Sequence, residues 1–233
     1  MKLLTFSNPK TLKGQKKGWR TAILHLSPAE ESLAHGGLKT CPYSTPGCRE
    51  ACLNTAGRGG IPDKKSFPFR NRIHRARVQR TIFFRKERHL FLTQLYREIE
   101  REARKGGKLA IRLNGTSDLA WERIEHEGAS MMDHFPEVTF YDYTKNFTRA
   151  CAKRYDLTFS RGESTPNTIV KGLLGKEVNV AVVFDNVPKK WLGVPVINGD
   201  ETDLRFLDPK GVIVGLKAKG RAKADTTGFV VRV

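Results

Sequence analysis

The chain lacks the features of a membrane or secreted protein. None of its 233 residues falls in an apolar stretch of 18, so no transmembrane helix is predicted. The LLTF run near the amino terminus is too short for the apolar core of a signal peptide. We therefore expect a cytoplasmic protein with no membrane partner. In that compartment four cysteines serve as metal ligands or reactive thiols rather than as a disulfide framework.

Several familiar catalytic signatures are absent as well. The chain has no GxGxxG or P-loop pattern and no recognisable Ser/His/Asp triad order, and its six histidines show no metal-motif spacing. No internal repeat, low-complexity tract or linker marks a second domain. We therefore predict a single β/α domain over residues 1–233.

Acidic residues are scarce: 24 Asp and Glu stand against 42 Lys and Arg, which gives a formal charge of +18. Residues 64–105 alone hold 14 Lys and Arg and four acids, and we predict a basic helical segment at 69–105. Such a charge favours nucleic acid or another polyanion as a partner, although a solvated helix face is the alternative. The aromatic residues among these cations serve either base stacking or the core: Phe67, Phe69, Phe83, Phe84 and Phe91.

The hydrophobic pattern predicts an α/β protein. A helix is expected over 71–104, with Phe91, Leu95, Ile99 and Ala103 on one face. Beyond it, apolar runs alternate with helix-like segments at 117–128, 145–155 and 164–176, which favours parallel β/α units. We predict a small or incomplete parallel β/α barrel, with an open doubly wound sheet as the rival. Seven strands are expected: 20–26, 109–115, 137–143, 156–160, 178–185, 194–199 and 211–217.

Three cysteines lie close together in a loop at 27–68 that is rich in Gly, Pro and Ser. Cys41, Cys48 and Cys52 have the spacing C-x6-C-x3-C, and tight turns can bring their thiolates to one centre. Thiolates suit iron–sulfur clusters and zinc. A [4Fe–4S] cluster held by three cysteines leaves one iron open to a substrate or cofactor.

Two alternatives to an iron–sulfur cluster stay open at this point. Structural zinc needs a fourth ligand, which His35 or His74 could supply, although paired C-x2-C knuckles are absent. The thiols could also carry no metal at all. The fourth cysteine, Cys151, is about 100 residues away on a helix-like segment, and we expect it in the core rather than at a metal.

Polar residues follow the predicted strands, and the carboxyl ends of parallel strands are where ligands bind. These polar residues could also have purely structural roles in helix caps, turns and solvated loops. The residues that we expect to bind a cofactor are Asn114, Gly115, Thr116, Asp118, Lys145, Ser160 and Glu163. The same rim also carries Ser117, Asp142, Thr144, Arg161, Asp185, Asp200, Glu201, Asp203, Arg205, Lys217 and Lys219.

Six segments of the sequence resemble a bacteriophage protein family with a radical-SAM-like organisation. They are CPYSTPGCREACLNTAGRG (41–59), RLNGTSDLAWE (112–122), FYDYTKN (140–146), TFSRGES (158–164), NGDETDLRFLD (198–208) and GLKAKGRA (215–222). The resemblance implies a [4Fe–4S] cluster on Cys41, Cys48 and Cys52, a reduced barrel similar to the radical SAM fold, and host cytoplasm as the location. The cysteine spacing departs from the C-x3-C-x2-C of radical SAM enzymes. The resemblance implies no particular reaction.

Two functions are consistent with these features. The first is a radical-SAM-like enzyme with a [4Fe–4S] cluster and S-adenosylmethionine as cofactors, an electron donor as partner, and an anionic substrate such as a nucleotide or nucleic acid. In that enzyme Glu163 or Asp118 would accept hydrogen bonds from S-adenosylmethionine, and Lys145 would meet an anion. The second is a non-catalytic nucleic-acid-binding protein in which iron–sulfur or zinc only stabilises the loop at 27–68.

Overall fold

A computed structural model describes residues 1–150 and 152–233. The sequence-based expectation for Cys151 lies outside these described residues. The chain groups into two compact units. Unit 1 comprises Met1–Pro42, Pro62–Asp142 and Ala152–Asp156, and unit 2 comprises Tyr43–Ile61, Tyr143–Cys151 and Leu157–Val233. The single domain expected over 1–233 stays a prediction.

The described residues form a mixed α/β structure. The helices are α1 (Pro9–Gln15), α2 (Pro46–Glu50), α3 (Arg72–Lys86), α4 (Arg88–Ala103), α5 (Met131–His134) and α6 (Asn167–Leu174). The strands are β1 (Leu4–Thr5), β2 (Arg20–Leu24), β3 (Leu109–Arg112), β4 (Glu125–His126), β5 (Ala129–Ser130), β6 (Thr139–Thr144), β7 (Asp156–Ser160), β8 (Val180–Phe184), β9 (Lys190–Trp191), β10 (Val194–Asn198), β11 (Ile213–Lys217) and β12 (Val230–Val231).

The pairing is mostly parallel in each unit. In unit 1 the strand order is β1-β2-β3-β6, and in unit 2 it is β7-β8-β11-β10-β9, with β12 paired to β8. Strands β4 and β5 form a separate antiparallel hairpin. All seven runs that the sequence predicts as strands contain a strand. The pairing agrees with the predicted α/β class. It does not confirm a barrel, and no radical SAM fold is shown.

In unit 1 the strands are buried because their side chains are apolar on both faces. Strand β2 runs parallel to β3, with Ala22 opposite Ile111, and β3 runs parallel to β6. Strand β1 is antiparallel to β2. The buried carboxylate of Glu98 on α4 accepts the amides of Leu3 and Leu4, which fastens the edge strand to the helix.

The helix predicted over 71–104 is two helices, which corrects that expectation. Glu87, with φ −127° and ψ 51°, separates α3 from α4. The break lets Phe84 on α3 and Phe91 on α4 bury together, with ring centroids 5.1 Å apart. Both phenylalanines are therefore core residues, whereas Phe67 is 88% exposed. The predicted apolar face is confirmed for Phe91, Leu95 and Ile99, which are fully buried.

Two segments expected to be helical are not. Residues 117–128 contain only a 3-10 turn at Trp121–Arg123 and part of the β4–β5 hairpin, which turns through Gly128 at φ +82°. Within 145–155 the described helical structure is a 3-10 turn at Phe147–Arg149, where the Asn146 side chain accepts the Thr148 amide at 3.0 Å. In both segments side-chain to backbone hydrogen bonds replace the helical ladder.

Unit 2 is organised around β8. Strand β11 lies parallel along all of β8, and β10 lies parallel to β11. On β8, β7 pairs with Val180 and Ala181, whereas β12 pairs with Val183 and Phe184. Helix α6 packs Val170, Leu173 and Leu174 into the core with these strands. Just before this helix, the Thr165 hydroxyl accepts the Gly162 amide at 3.0 Å.

The loop predicted at 27–68 is irregular, as expected, but it contains short helices. These are α2 and the 3-10 turns Leu33–His35, Leu53–Thr55, Gly57–Gly60 and Lys64–Ser66. Its buried residues are largely polar, among them Ser32, Thr40, Asn54 and Ser66. Hydrogen bonds therefore order much of this loop, whereas the strands are ordered mainly by an apolar core.

A helix that spans a membrane must be both long and apolar. Within residues 1–150 and 152–233, none of the helices is both long and apolar enough to span a bilayer.

Candidate functional site

Cys41 lies in unit 1, held by backbone groups on both sides. Its Sγ accepts the Ala29 amide at 3.3 Å and lies 3.8 Å from the carbonyl oxygen of Thr116. Ala29 has a left-handed φ of 46°, an uncommon conformation for alanine, and it returns its own carbonyl to the Thr40 amide at 3.0 Å. The sulfur therefore lies between a backbone N–H group and a backbone carbonyl oxygen.

The segment after β3 contains predicted cofactor-binding residues, and it contacts the chain at and next to Cys41. The Asp118 amide donates to the Thr40 carbonyl at 2.8 Å, and the Thr116 hydroxyl donates to the carbonyl of Leu26. Gly115 is required there, because a Cβ would lie 2.5 Å from Ile23 Cγ2 and 2.7 Å from the Leu24 carbonyl oxygen. The structure thus brings Gly115, Thr116 and Asp118 together with Cys41 within unit 1.

Asn114, also predicted to bind a cofactor, is occupied by its own loop. Its Oδ1 accepts from the Ser117 hydroxyl at 2.8 Å, the Leu119 amide at 2.9 Å and the Trp121 indole at 3.1 Å. Its Nδ2 donates to the Leu119 carbonyl at 2.9 Å. The Asn114 side chain therefore shapes residues 114–121, and this explains why that segment is not a helix.

Asp142 is the most enclosed carboxylate of the predicted rim. Its side chain is fully buried and accepts from Arg112 Nε at 3.0 Å, from the amides of Leu113 and Asn114, and from the Tyr155 hydroxyl at 2.6 Å. Burial raises the pKa of Asp142 to about 6, although Arg112 and the hydrogen bonds act in the opposite direction. Tyr155 had no sequence signal, because it is the last residue of the segment 145–155, which reads as a helix.

Cys48 and Cys52 lie in unit 2, on and just after α2. The Thr45 hydroxyl accepts the Cys48 amide at 3.3 Å and caps the helix, while Pro46 occupies its first turn. Cys48 packs against an apolar cluster of Ala51, Ala218, Ala222, Phe229 and Val230. The Thr-Pro pair before the helix was the sequence signal that could have identified Thr45 as a positioning residue.

Glu163, another predicted cofactor-binding residue, holds the start of α2. Its carboxylate accepts the Thr45 hydroxyl and, at 2.8 Å, the Gly47 amide. Burial acts to raise the pKa of Glu163, but these hydrogen bonds and the charge of Lys145 outweigh it and lower the pKa. Gly47 allows this close approach, since a Cβ there would lie 2.2 Å from Thr227 Oγ1 and 3.0 Å from the Glu163 carboxylate.

Lys145 and Ser160 join the same part of unit 2. Lys145 Nζ donates to the Ser160 hydroxyl at 2.9 Å and to the Arg161 carbonyl at 2.7 Å. The ammonium also lies 4.8 Å from the centre of the Phe229 ring, which belongs to the apolar cluster around Cys48. The structure therefore brings Lys145, Ser160 and Glu163 together with the helix that carries Cys48.

Two further rim residues of unit 2, Asp200 and Arg205, have partners in nearby loops and strand ends. Asp200 accepts Lys219 Nζ at 2.6 Å and the Lys217 amide at 3.1 Å, which joins the carboxyl ends of β10 and β11. Arg205 is fully buried beside Asp208, with Nε 3.2 Å from the carboxylate. These contacts suit turn and loop stabilisation, which was the bland alternative for this segment.

The two histidines considered for zinc both have other contacts in unit 1. The His35 ring lies 4.7 Å from Phe69, and His74 Nε2 lies 3.4 Å from Glu31. Burial lowers the pKa of His74, with Glu31 acting against it. In the part of the chain that the structure describes, no three His, Cys, Asp or Glu side chains are arranged to hold a metal ion.

The donor chemistry of the three cysteines still fits iron or zinc. All three side chains are partly exposed, and Cys41 carries the N–H donor described above. Cys41 belongs to unit 1, whereas Cys48 and Cys52 belong to unit 2. The metal ligands inferred from the sequence therefore stay a prediction.

These features define a mixed α/β protein with a mostly parallel sheet, polar residues at strand ends and cysteines beside them. Within that class the chain belongs to the Gene product 88 family, whose model matches residues 2–233. The match agrees with the bacteriophage family that the sequence motifs resemble, but it shows no radical-SAM-like organisation. Neither the search of curated proteins nor the search of solved structures found a match.

Proposed function

We propose that this chain is an iron–sulfur protein that resembles a radical SAM enzyme with a smaller barrel. We propose that it acts on an anionic, nucleotide-like or nucleic-acid-like substrate. In this proposal Cys41, Cys48 and Cys52 hold a [4Fe–4S] cluster. Held by these three cysteines, such a cluster would supply one-electron reducing chemistry toward S-adenosylmethionine. The host cytoplasm as its location and an electron donor as its partner belong to the same proposal.

The observation that carries this proposal is the attachment of the cysteine loop to predicted cofactor-binding residues in each unit separately. In unit 1 the backbone of Thr116 and Asp118 contacts that loop at Cys41 Sγ and at the Thr40 carbonyl. In unit 2 Glu163 binds Thr45 and Gly47 just before Cys48. Loops that hold reactive groups need such fixed positions, because catalysis and ligand binding depend on geometry.

The chain's own groups have definite tasks in this proposal. The Ala29 amide stabilises negative charge on the Cys41 sulfur. Glu163 fixes the start of α2 and so the direction of Cys48. Lys145, which is oriented by Ser160, places a positive charge at the end of β7 that suits an anionic group.

Anaerobic purification followed by iron, sulfide and zinc analysis tests the cluster. We expect iron and sulfide in cluster stoichiometry, and loss of both in Cys41→Ala, Cys48→Ala and Cys52→Ala. Cys151→Ala serves as the matched control and should keep them. Stoichiometric zinc without sulfide, or full iron in any of the first three variants, would contradict the proposal.

A second measurement tests whether the cluster is catalytic. The electron paramagnetic resonance spectrum of the reduced protein should change when S-adenosylmethionine is added, because an open iron can bind it. If the cluster is intact and its spectrum does not change, the cluster is a structural centre. That result would contradict the enzymatic part of the proposal.

A second candidate function is nucleic-acid binding without catalysis, and the surface of α3 and α4 favours it. The exposed cations of these helices and of the two residues after α4 are Arg72, Arg75, Arg85, Lys86, Arg88, Arg97, Arg101, Arg104 and Lys105. Nucleic acid should then bind without S-adenosylmethionine, and its affinity should fall steeply with salt, since each phosphate contact releases a counterion. Affinity that is unchanged by Arg72→Gln combined with Arg75→Gln would count against this surface.

A further inference from the structure

Phe67 lies in a short loop of unit 1, residues 63–70, that leads into α3 and is called the Phe67 loop below. Its side chain is 88% exposed to solvent. Two residues later, the half-buried Phe69 packs its ring against His35, with centroids 4.7 Å apart, and against His74 at 5.9 Å. The loop therefore contributes Phe69 to the packing of unit 1 and leaves the Phe67 ring open to a ligand.

Hydrogen bonds fix the shape of the Phe67 loop. The Asp63 amide donates to the Arg70 carbonyl at 2.7 Å and so joins the two ends of the loop. Within it, the Ser66 amide donates to the Asp63 carbonyl at 2.9 Å, and the Phe69 amide donates to the Ser66 carbonyl at 2.8 Å. The buried Ser66 hydroxyl donates to the Asp63 carboxylate at 2.8 Å. Because the residues on both sides of Phe67 are held in this way, a ligand that contacts its ring does not have to order the loop first.

Exposed cations precede and follow the aromatic residue. Lys64 and Lys65 belong to the 3-10 turn directly before it, and Arg72 begins α3 just after the loop. All three side chains are exposed. The acidic residue of the loop, Asp63, directs its carboxylate to the Lys65 amide at 3.1 Å and to the serine hydroxyl described above. An exposed aromatic ring with cations close to it in the chain matches the two parts of a nucleotide, a flat base and a negative phosphate.

We propose that the Phe67 loop binds single-stranded nucleic acid, with the Phe67 ring stacked on an unpaired base. Lys64, Lys65 and Arg72 attract the phosphates of the same strand. Every base has a face on which an aromatic ring can stack, so this contact tolerates different sequences. In a duplex those faces are covered by neighbouring bases, so the loop distinguishes single strands from duplexes.

This inference rests on nucleic-acid binding, the second candidate function, and adds the form of nucleic acid and the residue that stacks. It concerns residues of unit 1 other than the three cysteines. It therefore requires neither a cluster nor S-adenosylmethionine.

The first experiment compares two strands that differ only in their bases. The whole chain is titrated with a labelled oligothymidine strand and with an abasic strand of equal length, which carries the same phosphates. Phe67→Ala should weaken binding of oligothymidine at least about fivefold, the effect of losing one base–aromatic stack, and should change binding of the abasic strand less than about twofold. Its thermal midpoint should equal that of wild type, because the side chain is exposed. Equal effects on both strands, or no effect on either, would overturn the proposal.

Matched variants test whether the aromatic face is what binds. Phe67→Tyr keeps a ring and should bind oligothymidine within about twofold of wild type. Phe67→Leu is apolar but has no aromatic face, and it should lose as much affinity as Phe67→Ala. Leu90→Ala removes another apolar side chain of unit 1, 56% exposed on α4, and should leave the affinity unchanged. Full affinity in Phe67→Leu would assign the contact to apolarity alone and refute stacking.

A fluorescence measurement tests the contact directly. The added indole of Phe67→Trp should be quenched by oligothymidine and not by the abasic strand, after subtraction of the change seen in wild type. The subtraction accounts for the three native tryptophans, Trp19, Trp121 and Trp191. Equal quenching by the two strands would contradict stacking on a base.

Two further ligands define the nucleic acid. A DNA hairpin should bind with an affinity that Phe67→Ala does not change, and an equal loss for hairpin and single strand would overturn the preference for unpaired bases. Oligouridine distinguishes the sources of the strand. Tighter binding of oligouridine than of oligothymidine, lost in Phe67→Ala, supports RNA, whereas the reverse order supports DNA.

A failed stacking residue and a failed nucleic-acid function give different results. If none of these strands binds, both are refuted. If Arg72→Gln combined with Arg75→Gln weakens binding and Phe67→Ala does not, nucleic-acid binding stands and the stacking proposal is refuted. Sedimentation tests the other occupant, a second copy of this chain. A wild-type dimer that dissociates in Phe67→Ala while oligothymidine affinity is unchanged would assign the ring to contact between copies and overturn the proposal.

Discussion

Asp142 in unit 1 lies in the carboxyl half of β6, and Glu163 in unit 2 follows the end of β7, yet the environments of these two carboxylates are opposite. Asp142 is fully buried and its pKa is raised to about 6, with burial as the largest cause. Glu163 is partly exposed and its pKa is lowered, because hydrogen bonds and Lys145 outweigh burial.

The comparison teaches that position at a strand end does not decide the role of a carboxylate. Asp142 joins β3 to β6 and the Tyr155 segment, so it acts as an internal connector of unit 1. Glu163 ties the loop of α2 to the end of β7, so it acts as a clamp near the surface of unit 2. The two carboxylates differ because Asp142 is removed from solvent, whereas Glu163 is partly exposed to it.

The largest expected effect comes from removing the buried carboxyl group. Asp142→Asn should lower the free energy of unfolding by about 3–5 kcal/mol at pH 4, because asparagine keeps only one acceptor oxygen and so leaves buried hydrogen-bond donors without a partner. Urea denaturation measures this loss. Glu137→Gln, an exposed residue just before β6, is the control and should change the free energy by less than about 0.5 kcal/mol. Equal stability of Asp142→Asn and wild type would remove the connector role.

The pH dependence of stability, compared between wild type and Asp142→Asn, tests the raised pKa of Asp142. Folded Asp142 keeps its proton to a higher pH than in the unfolded chain, so its contribution to stability is full below about pH 4 and is lost as the pH rises through 6. Asparagine does not titrate. The stability gap between wild type and Asp142→Asn should therefore narrow by up to about 3 kcal/mol between pH 4 and pH 7. A constant gap across this range would show that the pKa of Asp142 is not raised.

In unit 2 the close packing of the clamp is expected to matter next. Gly47→Ala should destabilise the protein by about 1–3 kcal/mol, because its Cβ collides with Thr227 and Glu163. Gly172→Ala on α6 is the matched control, since nothing lies within 4 Å of its Cβ, and it should be neutral or stabilising. Thermal denaturation compares the two variants, and similar losses would argue against a tight contact at Gly47.

The smallest effect should come from the clamp carboxylate itself. Glu163→Gln should cost about 1 kcal/mol, because a partly exposed, charge-assisted hydrogen bond is screened by solvent. Since the pKa of Glu163 is lowered on folding, its contribution is present above the unfolded pKa and is lost as the pH falls through the folded pKa. Faster amide exchange at Gly47, with no change in Glu50→Gln, would measure the loosened clamp. A loss as large as that of Asp142→Asn would break the contrast between the two units.

The strands were predictable because each is a short apolar run bounded by polar or glycine residues. The helix break at Glu87 was not, because the apolar periodicity continues across it and only the joint burial of Phe84 and Phe91 requires it. Residues 117–128 read as a helix, yet the Asn114 side chain holds their first part in another conformation. Such hydrogen bonds from one side chain leave the apolar periodicity of the segment unchanged, and the helix was predicted from that periodicity.

The site residues divide in the same way. Strand order explains why Lys145, Ser160 and Glu163 gather in unit 2, since parallel strands end at one edge. Their partners Thr45 and Gly47 are more than 100 residues distant in sequence from Glu163, and only the folded chain reveals the contact.

The sequence by itself determined the α/β class, the positions of the main strands and the cysteine loop, because apolar periodicity and turn residues act locally. Tertiary structure alone decided which carboxylate is buried and which one clamps the loop. These properties depend on desolvation and on contacts between residues far apart in the chain. Neither can be read from neighbouring residues, because burial is set by how the elements of each unit pack.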